Sequence, residues 1–341
     1  MPVTHVSDPN YEFKDIVERR KKELDGVARL GKRLLPLTWL LQGVFALARL
    51  VGLESLLFKP FFKPMVKMFD DAIEEGFKGY TPQDSDVFVC SYFKSGTNWV
   101  MNTAYQIAEQ GEGEFEDALD VMCWADCPSQ ATTAHLDDDR QRRRSRNGKR
   151  IIKTHARAQF VPYSEKATYI CVVRDPKEVV VSSYFFFGKM LLGNLIPSVA
   201  TWVKHCTSPG AVFHPWYEFT AGYWAWRDRP NVLFITYREL QEDSAGAIRK
   251  MAELMGITLT EDELQKVADL SSYEQMKLID DKFYPGEVSP FARPGGSMIR
   301  SGKQGNSSEL LTAQQQAHID EWNRTGLQAI GSDFPYDEKI G

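Results

Sequence analysis

Four short apolar runs constrain this chain most. They are Val87-Phe88-Val89-Cys90, Ile151-Ile152-Lys153-Thr154-His155, Thr168–Val173 and Val232-Leu233-Phe234-Ile235. The first leads through a Gly-containing polar loop into the helix-like Trp99-Val100-Met101. The third leads into Pro176–Phe187 and the fourth into Ala245–Met255. Apolar runs of this length read as strands, and strands without polar alternation are covered on both faces. The order strand, turn, helix therefore predicts an α/β fold, a parallel sheet with helices on both faces. In such a sheet a ligand sits at the carboxyl ends of the strands. No internal repeat is visible.

The 341 residues allow one large domain or two ordinary ones. A net charge of −5 argues against a nucleic-acid polymer as partner. Five cysteines, odd in number and irregular in spacing, read as reduced thiols in a cytosolic protein. Cys123 and Cys127 lack a second ligand pair, so no metal is expected. Met1–Asp15 has no apolar stretch, so no cleavable secretion signal is expected.

Residues 1–80 are expected to form a helical N-terminal extension, with Pro60 and Pro64 breaking the pattern near Phe58–Lys67. Leu34–Ala48 carries no charge. As a helix it spans roughly 22 Å, short of the ~30 Å hydrocarbon core. Two readings of residues 34–58 compete, ahead of a true transmembrane span. One is an interfacial helix touching membrane peripherally, approached by Arg19, Arg20, Lys21, Lys22, Arg29, Lys32 and Arg33. The other, favoured because core-covering helices are commoner, is an amphipathic helix packed on the next domain. Asp137–Asp139 and the cationic run Arg140–Arg150 read as a solvated loop whose opposite charges partly cancel, in preference to an anion or partner site.

The first strand ends in Ser91-Tyr92-Phe93-Lys94-Ser95-Gly96-Thr97-Asn98-Trp99. Backbone N–H groups at a helix N-terminus favour an anion. Gly96 permits close approach, Lys94 adds a mobile charge, and Ser95, Thr97 and Asn98 add donors. The order differs from the NTPase loop, because Lys precedes the single Gly. Lys153-Thr154-His155 then closes the second strand. Arg174-Asp175-Pro176-Lys177 follows the third, with Ser182 eight residues beyond Arg174. Arg300-Ser301-Gly302 and Gly305 come near the C-terminus.

With these motifs in this order, the chain resembles the PAPS-dependent sulfotransferases, especially their cytosolic branch, over roughly Thr81 to Trp322. PAPS is 3′-phosphoadenosine 5′-phosphosulfate. The resemblance implies a P-loop-like α/β catalytic domain over 81–341 that uses PAPS as co-substrate and releases PAP. It implies that Lys94, Ser95, Gly96, Thr97 and Asn98 meet the 5′-phosphosulfate. Arg174, Ser182, Arg300, Ser301 and Gly302 would meet the 3′-phosphate, and Trp99, Tyr237 and Ser271 the adenine. Phe93 stands where the family usually has Pro. Ser301 replaces a usual Lys, Asn306-Ser307-Ser308 an Asp-Trp-Lys, and Ala156-Arg157 a Leu-Pro.

The acceptor hydroxyl must lose its proton as it attacks sulfur. His155 is the expected general base, since its unperturbed pKa lies near working pH and the K-T-H position singles it out. Lys94 and Lys153 are placed by resemblance to stabilise charge on the bridging oxygen. The aromatic residues Tyr184, Phe185, Phe186, Phe187, Trp202, Phe213, Trp216, Tyr217, Phe219, Tyr223, Trp224 and Trp226 suggest an apolar alcohol, phenol or lipid-like acceptor. About half of them are expected to be core instead. Three other functions compete with sulfuryl transfer. They are dehydration through transient sulfonation, a non-catalytic PAP-binding membrane-associated scaffold, and a small-molecule kinase. The sequence leaves the oligomeric state open.

Overall fold

The computed structural model describes residues 13–129, 133–284, 286, 288–293, 295–300, 302, 305 and 307–340. Its centre is a five-stranded parallel sheet in the order β2-β3-β1-β4-β5. The strands are β1 (Asp86–Ser91), β2 (Met122–Trp124), β3 (Arg150–Thr154), β4 (Thr168–Val173) and β5 (Val232–Thr236). Val89 lies opposite Lys153 on one side and Ile170 on the other. Strand β2 escaped sequence reading because its three residues are too few to show a run.

Every residue of β1 and of β4 is buried, as unbroken apolar runs demand. Successive side chains then divide between two cores. Phe88 and Cys90 join Phe187, Trp202 and Phe219 on one face. Val87 and Val89 join Val100, Met101 and Ile248 on the other. Two of the helices that follow strands are capped as their sequences direct. Asp175 accepts the Lys177 N–H at 2.8 Å ahead of Pro176. Thr236 and Glu239 form a capping box after β5.

Ahead of the sheet, α1 (Phe13–Leu50) and α2 (Glu54–Glu75) form an antiparallel hairpin, with the Phe45 and Phe61 rings 5.3 Å apart. The expected break at Pro60 and Pro64 is absent: α2 runs through both. Each proline is exposed, so the carbonyls it leaves unbonded face water. On the opposite face Phe58, Phe62, Phe69 and Ile73 are buried. Phe58 and Phe62 pack on Trp202 with centroids at 6.3 and 5.9 Å. Burial of about 1.5–3 kcal/mol per side chain outweighs the ~3 kcal/mol typical of a proline inside a helix.

The hairpin turn is fixed by Glu54, which accepts from Arg49, from the Ser198 N–H and from Thr201 Oγ1 at 2.8 Å. Burial pushes this carboxyl up, but hydrogen bonds from Ser198, Arg49 and Thr201 outweigh it and hold it below the usual range. The cationic run contains a short helix, Arg140–Arg144, where a loop was expected. Its charges do cancel: Arg143 pairs with Asp139 and Arg144 with Asp120. Arg150 is the exception, buried against Asp86 at 2.8 Å.

Candidate active site

All five strands deliver a residue to one place. Trp124 ends β2, Ser91 leads into the Lys94 loop, and His155, Arg174 and Tyr237 follow β3, β4 and β5. Trp124, Lys94, His155, Arg174 and Tyr237 border a cavity of about 410 Å³. Lys94, Gly96, Thr97, Asn98, Trp99, Lys153, His155, Arg174, Ser182, Tyr237, Arg300 and Gly302 all line it.

Two expected residues, Ser95 and Ser271, stand apart from the cavity. Ser95 is fully buried beneath the loop, its N–H donating to the Tyr92 carbonyl at 3.0 Å. Ser271 is buried at the end of helix Glu261–Leu270, its N–H donating to the Val267 carbonyl at 3.0 Å. Neither lines the cavity, because each backbone turn aims its side chain inward. Their hydroxyls have no partner among the described residues. Ser301 lies outside the described residues.

The loop is shaped to present backbone. Gly96 has φ +90°, and a Cβ there would lie 2.7 Å from the Tyr237 ring, so only glycine fits. Lys94 itself adopts φ +63°, an uncommon value for a residue with a side chain. The following helix, α3 (Thr97–Ala108), has no side-chain cap at its N-terminus. Thr97 Oγ1 is instead tied to Ser91 Oγ at 2.7 Å.

The cations are desolvated and crowded. Burial first, then Arg174 and Lys153, bring the Lys94 pKa down to about 7. Its Nζ donates to the Met298 carbonyl at 3.3 Å and lies 4.6 Å from the Phe186 ring centre. Burial lowers Lys153 to about 8 against the opposing pull of Asp126, and its Nζ sits 3.7 Å over the Trp124 ring. Arg174 lies 4.4 Å over the Tyr237 ring and donates to Glu178 at 2.7 Å. Arg300 lies 4.7 Å over Phe185 and pairs with Glu309. Such a donor set, with an uncapped helix N-terminus, fits a ligand carrying several negative charges.

His155 is held in one orientation. Its Nδ1 is 2.9 Å from the Ser91 carbonyl, which can only accept, so Nδ1 carries the proton and Nε2 the lone pair. Burial, then Lys153, lower its pKa to about 3, so the ring is neutral throughout the physiological range. Phe213 and Phe93 flank it edge-on at 5.2 and 5.8 Å and stack on each other at 4.4 Å.

Two parts of the site were not foreseen from the sequence, and a third is built from other residues than the aromatic stretch suggested. Buried Asp126 accepts from the His155 N–H at 2.8 Å and from Thr154 at 3.1 Å, fixing the backbone of the K-T-H segment. Glu178 holds Arg174 with one oxygen and accepts from the Gly305 N–H with the other. The apolar wall is the third. Of the twelve aromatic residues of that stretch, about half of which were expected to be core, Phe186 and Phe213 line the cavity, nine others fill the core and its margins, and Phe185 is exposed. Leu24 and Val27 of α1, Met68 and Phe69 of α2, and Tyr284 and Val288 stand in their place.

Similarity to known proteins covers most of the chain. The sulfotransferase domain family matches residues 84–331. Sulfotransferase 2A1 of Rattus norvegicus is 26% identical over 245 residues, 71% of this chain and 84% of that protein. The 3-beta-hydroxysteroid sulfotransferase of Cavia porcellus is 24% identical over 289 residues, 84% of this chain and 99% of that protein. A crystal structure of retinol dehydratase with retinol and PAP superposes with a TM-score of 0.61 at 21% identity, covering 79% of this chain and 88% of that one. The last likeness is one of fold.

Proposed function

This chain belongs to the sulfotransferase family, and from that premise we propose that it moves a sulfuryl group from PAPS to the hydroxyl of an apolar small molecule, with His155 as general base. One observation carries the reading. A neutral imidazole with its lone pair on Nε2 shares a cavity with Lys94, Lys153 and Arg174. PAPS supplies the sulfuryl group and, when its sulfur–oxygen bond breaks, the leaving group PAP.

The protein's own residues do the rest. His155 Nε2 accepts the proton of the acceptor hydroxyl as that oxygen bonds to sulfur. Lys94, Lys153 and the N-terminus of α3 offset the negative charge that grows on the bridging oxygen. Arg174, Ser182, Arg300 and Gly302 hold the 3′-phosphate, the guanidinium groups by paired N–H donors. Trp99 and Tyr237, edge to face at 5.5 Å, border the adenine. The low pKa of His155 owes part of its value to Lys153 and Lys94, and an anion that balances those charges raises it toward the working range.

Residues 81–341 form the catalytic unit in this reading, and the helices before them cover the acceptor end. A cytosolic location goes with the same reading, and no helix of the described residues is long and apolar enough to cross a membrane. The acceptor class follows from the wall of Leu24, Val27, Met68, Phe69 and Val288. A panel of phenols, sterols, long-chain alcohols and sugars with labelled PAPS is expected to give turnover on the apolar alcohols and phenols. Turnover confined to sugars would refute the acceptor assignment.

A further inference from the structure

The α1–α2 hairpin carries two apolar stripes. The inner one, Leu34, Leu41, Phe45 and Ala48, turns toward the protein, with Phe45 and Ala48 buried. The outer one, Leu37, Leu40, Val44 and Leu47, follows the same helical period, its last three members one position before Leu41, Phe45 and Ala48, and nothing among the described residues buries it. Leu40 is 64% exposed and Leu47 63%, beside Trp39 at 69% and Leu50 at 84%. Across the turn Leu53, Leu56 and Leu57 are exposed as well. A contiguous exposed patch of this kind marks a docking surface.

Charge selects the occupant. Between Asp25 and Asp70 the chain has one acidic residue, Glu54, which is buried and hydrogen-bonded to Ser198, Thr201 and Arg49. Exposed Arg29, Lys32, Arg33, Lys59 and Lys63 flank the patch with no acidic side chain among them. The tip is therefore cationic on a protein of net charge −5. A second copy would set like charges against each other. No described helix is long and apolar enough to cross a membrane, so the hairpin would lie on a bilayer rather than span it.

We propose that the hairpin tip, Leu35–Leu57, docks on the anionic face of a phospholipid bilayer, with Trp39, Leu40, Leu47 and Leu50 among the acyl chains and the cations at the phosphates. Leu24 and Val27, farther along α1, line the cavity about 15–25 Å from Leu37–Leu40 along the helix. On the acceptor reading above, docking brings the cavity close to a membrane-dissolved alcohol.

The test is flotation of the full-length protein with vesicles of phosphatidylcholine, with and without phosphatidylserine. Binding to the anionic vesicles is expected, with at least a tenfold loss in Leu40→Glu/Leu47→Glu. Lys32→Glu/Arg33→Glu is expected to lose about fivefold or more for each cation removed. None of these residues lines the cavity, so PAP affinity by calorimetry should stay unchanged and report an intact fold. Wild-type protein left unbound by anionic vesicles would overturn the proposal, as would equal flotation on neutral ones. So would a dimer in solution that Leu40→Glu/Leu47→Glu abolishes while flotation persists. Flotation reads no turnover, so failure of the catalytic reading would leave it untouched.

Discussion

His155→Ala is expected to lower kcat by about 10²–10⁴-fold, the range for loss of a positioned general base, while PAP affinity changes little. The prediction rests on orientation as much as on residue type. The Ser91 carbonyl fixes the tautomer, Asp126 fixes the backbone, and Phe93 and Phe213 fix the ring plane. Removing the imidazole leaves Lys94, Lys153 and Arg174 in place, so the ligand should still bind. Equal losses in PAP affinity and kcat would mean that the substitution had disturbed the cavity. Unchanged kcat would remove His155 from the mechanism.

Lys94→Met is expected to lose about 10²–10³-fold in kcat, as when one preorganised donor to a developing anion is removed. It should also change how PAP binding depends on pH, and the sign follows from desolvation. Burial, Arg174 and Lys153 lower the Lys94 pKa to about 7, so its cation is fully present only below that value. An anion binds the cationic form. Affinity for PAP should therefore fall as pH rises past about 7, with proton uptake on binding. Lys153, lowered to about 8, should extend the decline upward. In Lys94→Met the decline should begin later and be shallower. Calorimetry across this range, in two buffers of different ionisation enthalpy, reads both affinity and proton uptake. A wild-type affinity independent of pH would contradict the electrostatic account of the cavity.

The legible part of the fold was what local pattern encodes. Unbroken apolar runs located β1, β3, β4 and β5, and the residue just past each of these strands marked the candidate site. The order of Lys94, His155, Arg174 and Gly302 along the chain located a cavity that the fold then closes. What escaped depends on tertiary context. Asp126 and Glu178 are ordinary acidic residues until folding buries them against His155 and Arg174. The prolines of α2 read as breakers, because the packing of Phe58 and Phe62 on Trp202 is invisible locally. The aromatic stretch looked like an acceptor wall. Most of it is core and its surroundings, and the wall came from α1 and α2, far away in sequence. Ser95 and Ser271 matched their motifs, yet their turns aim the hydroxyls inward.

The central claim is that one cavity, organised around His155, transfers a sulfuryl group to an acceptor hydroxyl. Mass spectrometry of the product formed from PAPS and an apolar alcohol tests it most directly, with wild type and His155→Ala measured in parallel. The account predicts that wild type adds one sulfonate to the acceptor, releases an equivalent of PAP, and that both products nearly vanish in the variant. An acceptor that loses water instead, or one that gains sulfonate equally well without His155, would contradict it.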